Sequence, residues 1–303
     1  MRRSLTRVDA LLFLTVLLGL AGVIGVARQI EAQRSVVIAT TPEDQLYLNG
    51  ATVKRVSLGF NGLAADWYWI RSLQYVGRKV LANGQGLQLD NLGALNLKLL
   101  PPLLDTTTTL DPQFMEPYEY AAIVLPGVDL KEAMRITQKG IAANPSSWRL
   151  YQHLGYIHWQ QQDYEAAHNT YRAGAKIPGA PAWMEAMQAR MAVEGGSRAT
   201  AREIYQRMYE QSDDETIEEM ARRRLLQLRS FDERDGLRRL MTAYKTQTGK
   251  CPGLWTELAP TLRALKVPLD ASGAPLDPSG VAYLMLTDKC DVETDPRSEV
   301  PNN

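Results

Sequence analysis

The chain reads as a mainly α-helical protein: an array of helical hairpins, with an N-terminal transmembrane helix and a small α+β module at the C-terminal end. Three observations carry that reading. Small and aromatic residues alternate at helical spacing between Trp148 and Pro178. The alternation returns one period of about 34 residues earlier and later. An almost continuous apolar run, Ala10 to Ala27, precedes both.

The central segment, WRLYQHLGYIHWQQQDYEAAHNTYRAGAKIP, encodes two short helices. Tyr151, Leu154, Gly155 and His158 recur at helical spacing in the first, and Tyr164, Ala167, Tyr171 and Gly174 in the second. Small residues let two helix axes approach, and aromatics fill the space beside them. Gln160, Gln161 and Gln162 separate the helices, and Asp163 is placed to cap the second.

This pattern resembles the tetratricopeptide (TPR) repeat, with His158 where Tyr is usual and Pro178 and Pro181 on either side of the usual closing proline. One period earlier, Tyr118, Tyr120 and Ala121 fall on a first helix. Ala133 and Gly140 fall on the small positions of a second, and Pro145 closes the copy. Asp129 and Glu132 form a capping box there. One period later, Ala201, Tyr205 and Met208 align with Ala167, Tyr171 and Gly174, and Gly195-Gly196 supplies the turn before a Ser197 cap. Gln188 and Ala189 replace the Leu-Gly pair of the first helix in that copy.

The resemblance implies a TPR-like solenoid that holds a protein or peptide partner in a concave groove lined by the first helix of each repeat. Matching positions place Tyr118, Ala122 and Leu125 on that face in the first copy. Arg149, Gln152, Tyr156 and Trp159 follow in the second, and Trp183 and Arg190 in the third. Aromatics beside Arg and Gln suit an extended peptide whose carboxylates the arginines read.

At the N-terminus, Arg2, Arg3 and Arg7 precede the apolar run, and Arg28, Glu31 and Arg34 follow it. Residues 1–34 read as a single-pass anchor in a bacterial inner membrane, with the remainder in the periplasm. Gly25-Val26-Ala27 offers a signal-peptide cleavage site, but the run exceeds a usual signal core. Residues 35–112 read as a juxtamembrane segment followed by capping helices. A small hairpin is expected around Asn49-Gly50, with β-like pieces at Val36–Ala39 and Leu46–Leu58. An aromatic helix from Leu58 to Gly77 turns Leu63, Trp67, Ile70, Leu73 and Val76 inward, the membrane interface being the competing site for this stripe. After a loop at Asn83–Gly86, a helix from Leu95 to Thr109 carries Pro101-Pro102 near its start.

Residues 113–249 hold the repeats and further helix. Ser212 with Glu215 is expected to cap one helix, and Asp232 another running through Tyr244. Arg222, Arg223 and Arg224 read as a solvated face paired with Glu218 and Glu219. Residues 250–290 form a C-terminal module with an apolar helix from Leu254 to Leu265 and a strand from Ala282 to Leu286. It resembles the end of type II secretion major pseudopilins through Tyr244, Thr248, Gly249, Pro252, Leu258, Pro268, Asp270, Gly273 and Pro275. Cys251 and Cys290 flank it, and export makes a disulfide between them the expected state. Residues 291–303 read as a disordered tail.

Equal numbers of basic and acidic residues, 34 of each, argue against a nucleic-acid partner. No phosphate loop, nucleophile elbow, dinucleotide fingerprint or HExxH motif occurs, and His153, His158 and His168 lack metal-ligand spacing. No catalytic residue, metal or cofactor is therefore assigned. Asp105 and Asp111 beside the run Thr106–Thr109 read as caps and turns. The sequence points to a membrane-anchored, non-enzymatic scaffold or assembly factor of the cell envelope, with links to secretion, pilus or cytochrome assembly. An accessory hydrolase or transferase is the second reading.

Overall fold

The computed structural model describes residues 15–26, 28–29, 49–82 and 89–301. They are mainly helical, with one small two-stranded antiparallel sheet. Residues 15–26 are helical with exposed side chains. Residues 10–14 and 27 of the expected span lie outside the described set, as do the segments at 36–39, 46–48 and 83–86. Among the described residues no helix is long and apolar enough to cross a membrane.

The turn expected at Asn49-Gly50 is a helix start instead. Asn49 Oδ1 accepts the Thr52 amide at 2.9 Å and so caps α1 (Gly50–Val56). A Cβ on Gly50 would stand 2.8 Å from Thr109 Cβ. Glycine thus lets α1 lie close against α3 (Leu100–Leu110), which begins with Pro101 and Pro102 and follows a 3-10 turn at Leu89–Leu95.

Helix α2 (Asn61–Ala82) faces the opposite way from expectation. Its buried side chains are Ala65, Tyr68, Ser72 and Tyr75, whereas Leu63, Trp67, Ile70 and Leu73 are exposed and Val76 is half-buried. Two aromatic stripes compete on this helix. The one containing small Ala65 and Ser72 permits close packing of α2 on α3.

Six helices follow: α4 (Met115–Val124), α5 (Leu130–Ala143), α6 (Trp148–Gln160), α7 (Tyr164–Ala175), α8 (Trp183–Glu194) and α9 (Arg198–Gln211). Each packs on the next, and α4 also touches α6. Asp129 accepts the Glu132 amide at 3.0 Å and Asp163 the Ala166 amide at 3.1 Å, capping α5 and α7 as their sequences require. Ser197 stands at the N-cap of α9, its hydroxyl 2.8 Å from Thr200 Oγ1. The small positions explain the helix spacing. A Cβ on Gly140 would come within 2.8 Å of the Tyr118 ring and 3.1 Å of Leu150. A Cβ on Gly174, 34 positions on, would meet Tyr151 at 2.8 Å and also the Met184 methyl. Ala133, Ala167 and Ala201, at the same interval, are all fully buried.

The next helix, α10 (Glu215–Thr248), runs for 34 residues without a break. Its N-cap is Asp214, which accepts the Thr216 amide at 2.8 Å, rather than Ser212. Asp232 starts no new helix, because no helix breaker precedes it; it pairs from mid-helix with Arg198 and Arg202 of α9. Arg222 pairs with Glu219 at 2.7 Å. Gly249 ends α10 in the left-handed conformation, with φ at +80°, which glycine adopts without strain.

The C-terminal module packs on the last turns of α10 through Leu237, Met241, Leu258, Leu262, Tyr283 and Val292. The helix expected from Leu254 to Leu265 is divided into a 3-10 turn at Trp255–Glu257 and α11 (Ala259–Ala264). Trp255 Nε1 donates to the Tyr283 carbonyl at 3.1 Å, which anchors the 3-10 turn. Two consecutive PLDxSG turns follow. In each, one aspartate oxygen accepts two backbone amides and a serine hydroxyl: Asp270 from Ser272 and Ala274, Asp277 from Ser279 and Val281. Strand β1 (Leu284–Leu286) pairs with β2 (Asp291–Glu293). The stretch expected to be a disordered tail therefore supplies a strand. Arg238 holds Asp291 at 2.6 Å, and Val292 and Val300 are buried. Cys251 and Cys290 form a disulfide with a Cα–Cα separation of 5.7 Å.

Candidate protein-binding strip

Tyr118 leaves the candidate site. It is fully buried, its ring against Gly140 and its hydroxyl donating to the Thr108 carbonyl at 3.4 Å. Ala122 and Leu125 are buried with it, in one core with Tyr75, Leu97, Leu100 and Leu104. Helices α2 and α3, with the segment between them, thus cover the first copy of the predicted face. Burial, with smaller contributions from Asp105 and Asp111, pushes the Tyr118 phenol up to about 12, although its hydrogen bond to Thr108 opposes the shift.

The other predicted residues lie on α6 and α8, and five of them take part in two contact groups. At the N-terminal ends, the Trp148 and Trp183 rings meet edge to face at 5.9 Å, and the Arg149 guanidinium lies 5.0 Å from the Trp148 ring centre. Towards the C-terminal ends, Arg190 of α8 lies 5.1 Å from the Trp159 ring centre. Trp159 in turn sits 5.5 Å from Tyr156, whose hydroxyl accepts from Gln160 Nε2 at 3.1 Å. Gln152 is half-buried on α6 between these groups. Trp148 was absent from the predicted set; an aromatic at the first position of a helix that otherwise carries the site is the signal that marks it.

The strip is packed on one side and open on the other. Trp148 and Trp159 rest on a core of Ala167, Tyr171, Met184 and Met191. Tyr156 and Trp183 stay 45% and 40% exposed, and Arg149 and Arg190 are exposed. Arg190 also approaches Glu194 at 3.6 Å. Beside Arg149, a hollow of about 650 Å³ is lined by Glu116, Glu119, Asn144 and Ser147. Aromatic faces held in place beside cationic edges offer stacking together with carboxylate recognition.

The histidines have packing roles. His168 Nδ1 lies 3.0 Å from the Gln188 carbonyl, linking α7 to α8. Burial pushes His153 and His158 below their ordinary value, with Glu119 and Asp163 opposing. Asp105 is a structural anchor, paired with Lys139 at 3.0 Å and Arg135 at 2.9 Å. Burial favours its neutral acid, but hydrogen bonds and charge from Lys139 and Arg135 outweigh that and hold its carboxyl below the usual range.

Comparison with known proteins finds no family model that matches this chain and no curated protein that matches it.

Proposed function

We propose that this protein is a membrane-tethered scaffold of TPR-like hairpins that grips an extended segment of another protein along α6 and α8. The observation that carries this reading is the pairing of the two helices through Trp148–Trp183 and Trp159–Arg190, with Tyr156 and Arg149 presented alongside. Rigid aromatics bind at low cost in side-chain entropy, and stacked arginines keep their N–H edges for carboxylates. Recurrence of the glycine contacts at Gly140 and Gly174 supports a repeat solenoid, with the strip on its concave face.

The charge pattern around the apolar run of residues 10–27 supports a single-pass anchor in a bacterial inner membrane. The Cys251–Cys290 disulfide favours an oxidising compartment, the periplasm. The proposed role is non-enzymatic: recruitment of envelope proteins for assembly, in the manner of anchored TPR proteins of secretion, pilus or cytochrome maturation systems.

The test is cross-linked capture by the full chain in envelope membranes, with the captured protein identified and its affinity then measured. Tyr156→Ala, Trp159→Ala and Trp183→Ala combined should abolish capture while the helical spectrum is preserved. Undiminished binding by this triple variant would sink the strip. For the compartment, a periplasm-active reporter fused after Asn303 should be active, and silence would overturn the exported topology.

A further inference from the structure

We propose that α2 lies flat on an anionic membrane surface, with its Leu63–Trp67–Ile70 face immersed in the interface. The inference does not depend on the peptide strip, and it uses a different part of the molecule.

Three observations lead to it. The first is the concentration of exposed apolar surface. Leu58, Phe60, Leu63, Trp67, Ile70 and Leu81 are each more than half exposed, with Leu63 at 71%, Trp67 at 51% and Ile70 at 52%. Large apolar side chains scattered singly need no explanation, but a continuous stripe along one helix marks a surface that is covered in use. The opposite face of α2 is already committed to α3 and the first core, so the stripe is not an error of packing.

The second is charge. The whole chain is neutral, yet residues 50–82 carry Lys54, Arg55, Arg71, Arg78 and Lys79 against Asp66 alone. Arg71 places its guanidinium 4.8 Å from the Trp67 ring centre. An apolar face containing Trp, bordered by Lys and Arg, has the composition of helices that lie in the plane of an anionic bilayer. A second copy of this chain would bring two such basic borders together and is disfavoured for that reason.

The third is continuity. Among the described residues, a second large exposed apolar surface belongs to the helical run 15–26, where Leu18, Val23 and Val26 are each at least 60% exposed. The two surfaces are neighbours in the chain, and one apolar phase satisfies both. Docking α2 on that phase would set the helical hairpins directly over the membrane and restrict their rotation relative to it.

The test uses the full chain, with its disulfide intact, reconstituted into vesicles of phosphatidylethanolamine and phosphatidylglycerol. Single spin labels go at Leu63→Cys, Ile70→Cys, Leu17→Cys and, as a water-facing control, Gln211→Cys. Collision rates with oxygen and with a water-soluble nickel complex give the depth of each label. Labels at 63 and 70 are expected about 5–10 Å below the phosphates, and Trp67→Glu should raise the label at 70 towards water. Two outcomes overturn the proposal. In one, labels 63 and 70 are as open to nickel as label 211. In the other, they are shielded from both reagents, the signature of a protein seam formed by a second copy or by the 10–27 run. Label 17 reports separately on the anchor, so failure of the tether and failure of the docked helix are distinguishable.

Discussion

Arg190 of α8 lies 5.1 Å from the centre of the Trp159 ring of α6, joining two helices that the chain separates by a complete intervening helix. The contact places a cation and an aromatic face side by side at the exposed edge of a packed core. Its contribution to stability is separable by mutation from the recognition role proposed for it. Trp159→Ala should cost about 2–3 kcal/mol in urea unfolding, mainly through lost packing. Arg190→Ala should cost under about 1 kcal/mol. The double-mutant cycle should return a coupling of about 0.5–1 kcal/mol. A coupling near zero would show the stacking to be energetically idle.

Glycine-to-alanine changes should have opposite signs at two positions. A Cβ on Gly155 would stand 2.8 Å from the Tyr171 ring. Tyr171 is 2% exposed and held by the surrounding core, so Gly155→Ala should destabilise by about 1–3 kcal/mol despite its better helix propensity. Gly77 has nothing within 4 Å of its Cβ position and sits inside α2, so Gly77→Ala should stabilise by up to about 1 kcal/mol. Thermal melts of the two variants check both signs.

Reduction of Cys251–Cys290 should loosen the C-terminal module before helices α4 to α9. The bond closes a separation of 39 residues, for which loop entropy gives about 4 kcal/mol. Hydrogen exchange under reductant should accelerate first at Tyr283 and Val292, which share the module core. Equal acceleration in α6 and α7 would refute a local role.

Acid should weaken the fold in two separate windows. Burial lowers the folded values of His153 and His158 below the ordinary 6.5. The fold therefore prefers the neutral rings. The stability this adds is present above the unfolded value and is lost as pH falls through the folded values. The melting temperature should be lower at pH 5 than at pH 7.5, and the difference should shrink in His153→Gln with His158→Gln. Asp105 acts further down. Its folded value lies below the ordinary 3.8, so its contribution persists above that value and disappears as pH falls through the folded one. Asp105→Asn should remove that lower step.

Local chemistry was written plainly in the sequence. Asp129, Asp163 and Gly249 marked helix ends because capping involves only residues a few positions apart. The alternation of small and aromatic residues located two of the hairpins because glycines facing rings, Gly140 at Tyr118 and Gly155 at Tyr171, set the helix separation there. Arg149, Tyr156, Trp183 and Arg190, all exposed, could be named together with the half-buried Trp159 because one period relates their helices.

Only the tertiary structure decided the rest. Both stripes of α2 are amphipathic in pattern, and which one faced inward depended on the fit of Ala65 and Ser72 against α3. Tyr118 occupied a groove position by periodicity but was enclosed by helices from the preceding segment. Residues 291–293 looked too polar to fold, yet β2 is held by backbone pairing to β1 and by the distant Arg238. In each case the deciding partner lay far along the chain. Periodicity and capping describe what a segment is able to form; burial and pairing depend on what arrives opposite it.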